Sequence, residues 1–362
     1  MQKITISDVA KQAGVSISTV SRVLNKNSTV DETLKRKVQK TIEDLGYVPN
    51  ANARSIRAGN SNLLSVIIPT TEIAIFASVL QGVMDTAEAN GLRVNVYSSK
   101  GDKRRDLQCL RDACACSSSG IIYCPISESD REYLETVLAK DIPVVIVMRR
   151  GVMPGIPHIY MDDFGGEYKA TRYLIQQGHR RIAFFAGFWE KPAQDVEGML
   201  AMMETEQRGA YSTLERLAGY KKALAESGLE FDTGLIQLTR FDYKSGYDAM
   251  KEFLSSLADF DAVLCGNDLV ATGVLQALKE QKIAVPERVS LIGYDDSDLA
   301  RISNPGLTSV RQFPYTIGAN AVKALMDMEQ GKTVENQKLE AVFTIRTSTA
   351  MKAVYTGGGS YL

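Results

Sequence analysis

Over the first 46 residues apolar side chains recur at helical spacing, with no run of period two. Val9, Ala10 and Ala13 mark one face of a helix that Ser7-Asp8 is placed to cap. Gly14 supplies a turn, and Ser16 is placed to cap a second helix that runs to Leu24, with Val20, Val23 and Leu24 turned inward beside Val15. A third helix carries Leu34, Val38, Ile42 and Leu45 as a stripe that covers the first two. From Leu63 onward the pattern changes. Short runs rich in Val and Ile (63–68, 92–97, 120–124, 144–147, 181–186, 262–265, 289–292) alternate with helical stretches (76–90, 166–177, 214–226, 243–254, 269–281). Apolar runs of this kind are strands buried on both faces of a parallel sheet, and the alternation specifies an α/β fold. Seven βα units would overfill one open sheet, so a break near Asp162 into two doubly wound lobes is expected. A ligand cleft would then lie where the carboxyl ends of the strands face each other.

Between the two patterns, Pro49 stops the preceding helix and Gly59-Asn60-Ser61-Asn62 is loop chemistry, while 51–58 is helix-compatible but too short to hold alone in water. The resulting organisation is a headpiece (1–47), a hinge (48–61) that orders when something docks against it, a two-lobed body (62–350) and a tail (351–362). Within the body, the first lobe is expected at about 62–161 and 312–328 and the second at about 162–292 and 330–350.

Composition narrows the class. A chain of 362 residues with 44% hydrophobic and 23% charged residues has room for two or three domains. It is neither disordered, collagen-like nor disulfide-stapled. Its net charge of −1 conceals a split: residues 1–60 carry ten basic and five acidic side chains, a net of +5, and the remainder a net of −6. Only the headpiece suits a polyanion. No apolar run is long enough for a membrane span and the N-terminus lacks a signal-peptide core, so a cytoplasmic protein is expected. The five cysteines and two histidines match no metal pattern, and the thiols are expected to be reduced and mostly buried.

The second helix leaves Ile17, Ser18, Ser21 and Arg22 on its outward face. Arg can grip the O6 and N7 of guanine, Ser can bond bases or phosphate, and Ile can meet a thymine methyl, so this face is suited to the major groove. Lys35, Arg36, Lys37 and Lys40 form the solvated side of the third helix.

The run from Thr5 through Ser16-Ile17-Ser18-Thr19-Val20-Ser21-Arg22 to Asn25, followed by Leu45-Gly46-Tyr47-Val48-Pro49-Asn50, resembles the DNA-binding headpiece of the lactose-repressor (LacI/GalR) family. The likeness continues through Gly178-His179-Arg180-Arg181-Ile182, Arg216-Leu217-Ala218-Gly219-Tyr220, Cys265-Gly266-Asn267-Asp268 and Leu291-Ile292-Gly293-Tyr294-Asp295-Asp296. It implies an all-α helix-turn-helix headpiece joined to a periplasmic-binding-protein-like sensor. It also implies a homodimer on a pseudo-palindromic operator, most often a repressor, controlled by a small molecule between the lobes. By position, Ile17, Ser18 and Arg22 would carry base specificity, with Thr5, Ser16, Thr19, Ser21, Asn25, Tyr47, Asn50 and Ala53 completing the DNA-facing set and Ile56 entering the minor groove as a wedge. Arg216 and Asp268 would contact the effector, joined by Ile75, Phe76, Arg149, Asp162 and Phe241. No cofactor or metal is implied.

Two features depart from the family pattern. After the strand at 144–147 come Met148-Arg149-Arg150, where many members place an acid; two guanidiniums there favour a sugar acid or sugar phosphate over a neutral sugar. The 25 residues from Phe188 to Ser212 far exceed an ordinary loop, and apolar residues at 199, 200, 202 and 203 suggest an extra short helix that lids the cleft or covers a neighbouring surface. Two other classes compete. An enzyme on an α/β scaffold is disfavoured, since no phosphate loop, nucleophile elbow or His-based metal motif occurs; a regulator triggered by a partner protein is the alternative. The tail has no heptad, which points to a dimer rather than a tetramer. Replacing the wedge, Ile56→Gly, is expected to weaken specific operator binding while sparing nonspecific affinity; equal specific binding by variant and parent in a gel-shift titration would contradict the wedge.

Overall fold

The computed structural model describes residues 4–24, 30–47, 62–126, 131–151, 153–189, 195–256 and 259–352. The chain divides into two units, Met1–Ser61 and Asn62–Leu362. The expected hinge at 48–61 and all but the first two residues of the tail lie outside the described residues.

Three helices build the first unit: α1 (Ile6–Ala13), α2 (Ile17–Leu24) and α3 (Glu32–Leu45). The cap of α1 is Thr5, not Ser7-Asp8. The Thr5 hydroxyl accepts the Asp8 amide at 3.4 Å and the Asp8 carboxylate accepts the Thr5 amide at 2.9 Å, a reciprocal capping box that sets the helix start at Ile6. Gly14 ends α1 with φ of 63°, a left-handed conformation that favours glycine. Ser16 then caps α2 by accepting the Thr19 amide at 3.1 Å. Val9, Ala10, Ala13, Val20, Val23 and Val38 are buried together, with Val15, Leu24, Ile42, Leu45 and Tyr47 packed against them.

In the second unit the first sheet comprises β1 (Leu63–Ile68), β2 (Arg93–Ser98), β3 (Gly120–Tyr123), β4 (Val144–Val147), β5 (His158–Met161) and β11 (Gln337–Leu339), ordered β11-β5-β4-β3-β1-β2 and all parallel. The second sheet comprises β6 (Ile182–Phe188), β7 (Ile236–Arg240), β8 (Ala262–Cys265), β9 (Ser290–Asp295), β10 (Thr308–Arg311) and β12 (Val342–Thr344). Its order is β12-β10-β9-β8-β6-β7, and only β12 runs antiparallel, to β10. Helices α4 (Ala74–Ala89), α5 (Lys103–Ala115), α6 (Arg131–Leu138) and α13 (Pro314–Glu329) pack in the first lobe. Helices α7 (Asp163–Gln176), α8 (Val196–Met203), α9 (Ser212–Glu226), α10 (Tyr243–Ser255), α11 (Asp268–Glu280) and α12 (Asp298–Ile302) pack in the second.

The chain therefore passes between lobes three times, after β5, after β10 and after β11. One expectation is corrected: 330–350 does not lie wholly in the second lobe, because β11 pairs with β5 through Gln337 and Ile159 and completes the first sheet. Residues 293–311, left unassigned by the hydrophobic pattern, carry the second lobe on through β10.

The central strands β1, β3, β4, β6, β8 and β9 are almost wholly buried, and one apolar cluster runs from Leu64 and Val147 in the first lobe to Phe184 and Ile292 in the second. Cys109, Cys124 and Cys265 are buried, Cys114 half-buried and Cys116 exposed, all as free thiols. Among the described residues no helix is long and apolar enough to cross a membrane. Helices α4 and α13 touch backbone to backbone: a Cβ on Gly82 would strike the Tyr315 carbonyl, and one on Gly318 the Val79 carbonyl. Neither obstacle is a flexible side-chain end, so Gly318→Ala is expected to destabilise the protein by about 1–3 kcal/mol in urea unfolding; an unchanged midpoint would show that the helices separate freely.

Candidate functional site

On the headpiece, α2 turns Ile17, Ser18 and Arg22 to solvent, and Ile17 is 43% exposed although it is a large aliphatic at a helix start. Ser21 is half-buried. The hydroxyl of Ser16 lies 2.7 Å from that of Ser18 and 2.9 Å from that of Thr19, a hydroxyl chain along the N-terminal turn of α2 beside the exposed Ile17. The Thr5 hydroxyl is engaged in the cap of α1, and Tyr47 packs against the headpiece core. Asn25, Asn50, Ala53 and Ile56 lie outside the described residues.

In the body, the carboxyl ends of both sheets converge where the three connectors cross. Arg216, on the first turns of α9, is 4% exposed. Its Nε donates to Asp163 Oδ1 at 2.8 Å and its Nη1 to the Gly266 carbonyl, just past β8, at 2.6 Å; the guanidinium carbon stands 3.5 Å from the centroid of the Tyr294 ring on β9. The Tyr294 hydroxyl also donates to Asp163 Oδ1, at 3.3 Å. Ionic, hydrogen-bond and cation–π contacts thus fix one side chain against three elements. Opposite it, Trp189 stands between Phe76 and Phe241, with ring centroids 5.6 and 5.5 Å away. Ile73, Ile75, Phe76, Trp189 and Phe241 form the apolar wall of a small inner cavity, and Arg149, Asp163, Arg216, Asn267, Asp295 and Gln312 the polar wall. Its free volume is about 30 Å³, little more than one water, so the aromatic rings fill it.

A wider outer cavity of about 340 Å³ adjoins it through Met148, Arg149, Asp163 and Ser212. Arg150, Tyr160, Asp162, Arg208, Glu215 and Lys338 line its remainder. Met148 reaches this position with φ of 64°, a left-handed residue directly after β4.

Burial sets the charge state here. It pushes the Asp163 carboxyl up despite Arg216 beside it, Glu167 up to about 8, Asp295 up to about 8 and Asp268 up to about 6. Arg216 acts on Asp163, Glu167 and Asp295 together, and its ion pair is with Asp163.

Of the residues expected at the effector site, Ile75, Phe76, Arg149, Arg216 and Phe241 converge on the inner cavity. Asp268 does not. Its Oδ2 accepts from the Ser297 amide and hydroxyl at 2.7 and 2.8 Å, and its Oδ1 from the Ser309 hydroxyl at 2.8 Å. Arg216 is paired with Asp163, which opens α7 directly after the first crossing. Asp162 caps α7 by accepting the Gly165 amide at 3.0 Å and meets Lys338 at 3.1 Å, so it lines the outer cavity alone. Trp189, Asp163, Asp295, Gln312 and Ser212 were missed by sequence reasoning. Trp189, the one tryptophan of the chain, stood three residues past the predicted strand at 181–186 and directly follows β6, and carried a usable signal. The long segment forms α8 and a short 3-10 turn (Glu206–Ala210). Met199 and Met203 are buried, which makes α8 a cover over α9 and β7, while Arg208 and Gly209 reach the outer cavity.

A helix-turn-helix unit in the same chain as two lobes joined by three crossings defines a DNA-binding regulator with a binding-protein-like sensor. Residues 171–349 match the periplasmic binding protein-like domain family, and residues 5–50 match the bacterial regulatory proteins of the lacI family. The HTH-type transcriptional regulator RegA of Clostridium saccharobutylicum is 31% identical over 347 residues, 95% of this chain and 99% of that one. A solved complex of the transcriptional regulator CelR with cellobiose is 28% identical with a TM-score of 0.67, covering 95% of this chain and 99% of that one. The lac repressor dimer bound to operator and the anti-inducer ONPF superposes with a TM-score of 0.82 at 24% identity, over 96% of this chain and 100% of that one, which shows a shared fold. The chain belongs to the LacI family and is a DNA-binding transcriptional regulator rather than an enzyme.

The buried carboxyls give a pH dependence. Glu167 keeps its proton in the folded state up to about 8, whereas the unfolded chain releases it near 4.5, so its contribution to stability falls as pH rises across that window. Glu167→Gln is expected to lose less stability than the parent between pH 5 and pH 8 in denaturant titrations; identical slopes would show that Glu167 is ionised in the fold.

Proposed function

We propose that this chain is a homodimeric repressor of the bacterial cytoplasm. It reads a two-fold operator through Ile17, Ser18, Ser21 and Arg22 of α2, and it is controlled by a small polyhydroxylated molecule of the sugar class held between its lobes. The observation that carries this reading is the junction itself, where Arg216, clamped by Asp163, Gly266 and Tyr294, faces the Phe76–Trp189–Phe241 aromatic group. Aromatic faces suit the apolar faces of a sugar ring, and the guanidinium, carboxyl and amide groups suit its hydroxyls. The relative solved with cellobiose and the one solved as a dimer on operator support the same reading. Because the inner cavity is nearly filled, a ring enters only as Trp189 moves and the lobes change their angle. That two-state change is what couples the sensor to the headpiece.

Trp189 is the only tryptophan in the chain and lines this cavity, so its emission is a probe of it free of other indoles. In a panel of mono- and disaccharides, the sugar that alters operator affinity is expected to shift Trp189 emission. Phe241→Ala should weaken that sugar about tenfold, and Arg22→Ala should abolish operator specificity with sugar binding intact. Operator affinity that a sugar changes with Trp189 emission unmoved would place the effector elsewhere.

A further inference from the structure

The inner cavity explains only half of the lobe junction. The outer cavity is lined by four cations (Arg149, Arg150, Arg208 and Lys338) and three carboxylates (Asp162, Asp163 and Glu215). Each carboxylate already has a cation. Glu215 is held by Arg150 Nη2 at 2.5 Å and by Arg208 Nε at 2.6 Å, Asp162 by Lys338 at 3.1 Å, and Asp163 by Arg216 at 2.8 Å. Arg149 is the exception. It is 7% exposed, and among the described residues it makes no ion pair within 4 Å. Its Nη1 donates to the Met148 carbonyl at 3.0 Å and to the Ser212 hydroxyl at 2.8 Å, while its buried Nε has no hydrogen-bond partner.

A buried guanidinium with an unused donor is costly unless something completes it. The bland account, a structural ion pair, fails on the carboxylates: Asp163, whose carboxyl feels the Arg149 charge, is committed to Arg216. Arg149 also borders both cavities at once. We propose that the outer cavity is a subsite for an anionic group, a carboxylate or phosphate carried by the effector, which Arg149 grips while the rest of the molecule occupies the aromatic inner cavity. Arg150 and Arg208 neutralise Glu215 in the same cavity, so the entering anion meets no uncompensated carboxylate. This rests on the effector reading above and names the chemical class of its ligand.

Isothermal calorimetry on the full-length protein, with inorganic phosphate as probe and ionic strength held constant by chloride, isolates the subsite. The parent is expected to bind phosphate saturably, Arg149→Met at least about tenfold more weakly, and Arg149→Lys in between. Any binding to the basic headpiece is common to all three proteins. Where Arg149→Met fails to fold, Arg149→Lys keeps the charge and still removes the second donor arm, so weaker phosphate binding by it supports the subsite. Equal phosphate affinity in parent and variants, or none in the parent, overturns the proposal. In a second arm, glucose and glucose 6-phosphate are compared through Trp189 emission. Glucose shifting the emission equally in parent and Arg149→Met, without phosphate binding, overturns the anion subsite and leaves the effector cavity standing. Arg149-dependent phosphate binding with operator affinity that no sugar or sugar phosphate changes supports the subsite and counts against the regulatory reading instead.

Discussion

The sensor depends on one buried side chain. Arg216 ties Asp163 at the first lobe crossing, the carbonyl after β8 and the ring on β9 into a single cluster. Removing it would leave Asp163 as a buried carboxylate with no counter-ion, a loss that is large in proteins because the remaining charge stays desolvated. The cluster therefore constrains more than a ligand contact. It fixes how α9 and α7 meet the second sheet, and it decides which of the neighbouring carboxyls carries charge.

That decision gives the junction its character. Asp163, Glu167 and Asp295 all feel this guanidinium, and burial raises each of them. With Glu167 and Asp295 holding protons near neutrality, the inner cavity is a surface of hydrogen-bond donors and acceptors rather than an anionic trap. The outer cavity has the opposite bias, since its carboxylates are matched and Arg149 remains over. On the proposed reading, two adjoining spaces of different polarity suit a molecule that is itself neutral at one end and charged at the other.

Much of this was legible in the order of residues. The strands at 63–68, 144–147 and 262–265 coincide with β1, β4 and β8 because each is a solid apolar run between turn residues. The strands that stayed hidden are short or alternating: β5 and β10 have four residues with polar ones among them, β7 alternates, and β11 and β12 are three residues long and half-exposed. Helix α5 was hidden for a related reason, since Lys-Arg-Arg-Asp dominates its start and its buried face is only Asp106, Cys109, Leu110 and Ala113. At the site, Arg216, Phe76 and Phe241 were placed from motif and position. The partner of Arg216 was not, because Asp163 and Asp268 both follow apolar strands in the sequence, and only the fold shows that Ser297 and Ser309 already occupy Asp268.

The three connectors between the lobes have a mechanical consequence. Asp162 and Asp163 stand on the first, Gln312 on the second, and Lys338 on the strand that leads into the third, so four of the polar groups that line the cavities belong to the straps that join the lobes. On the proposed reading, an effector gripped there would sit at the fulcrum instead of the rim. It would not need to span an open mouth or draw two distant surfaces together; by stiffening the pivot in one setting it would select an angle, and the far ends of both lobes would magnify that choice.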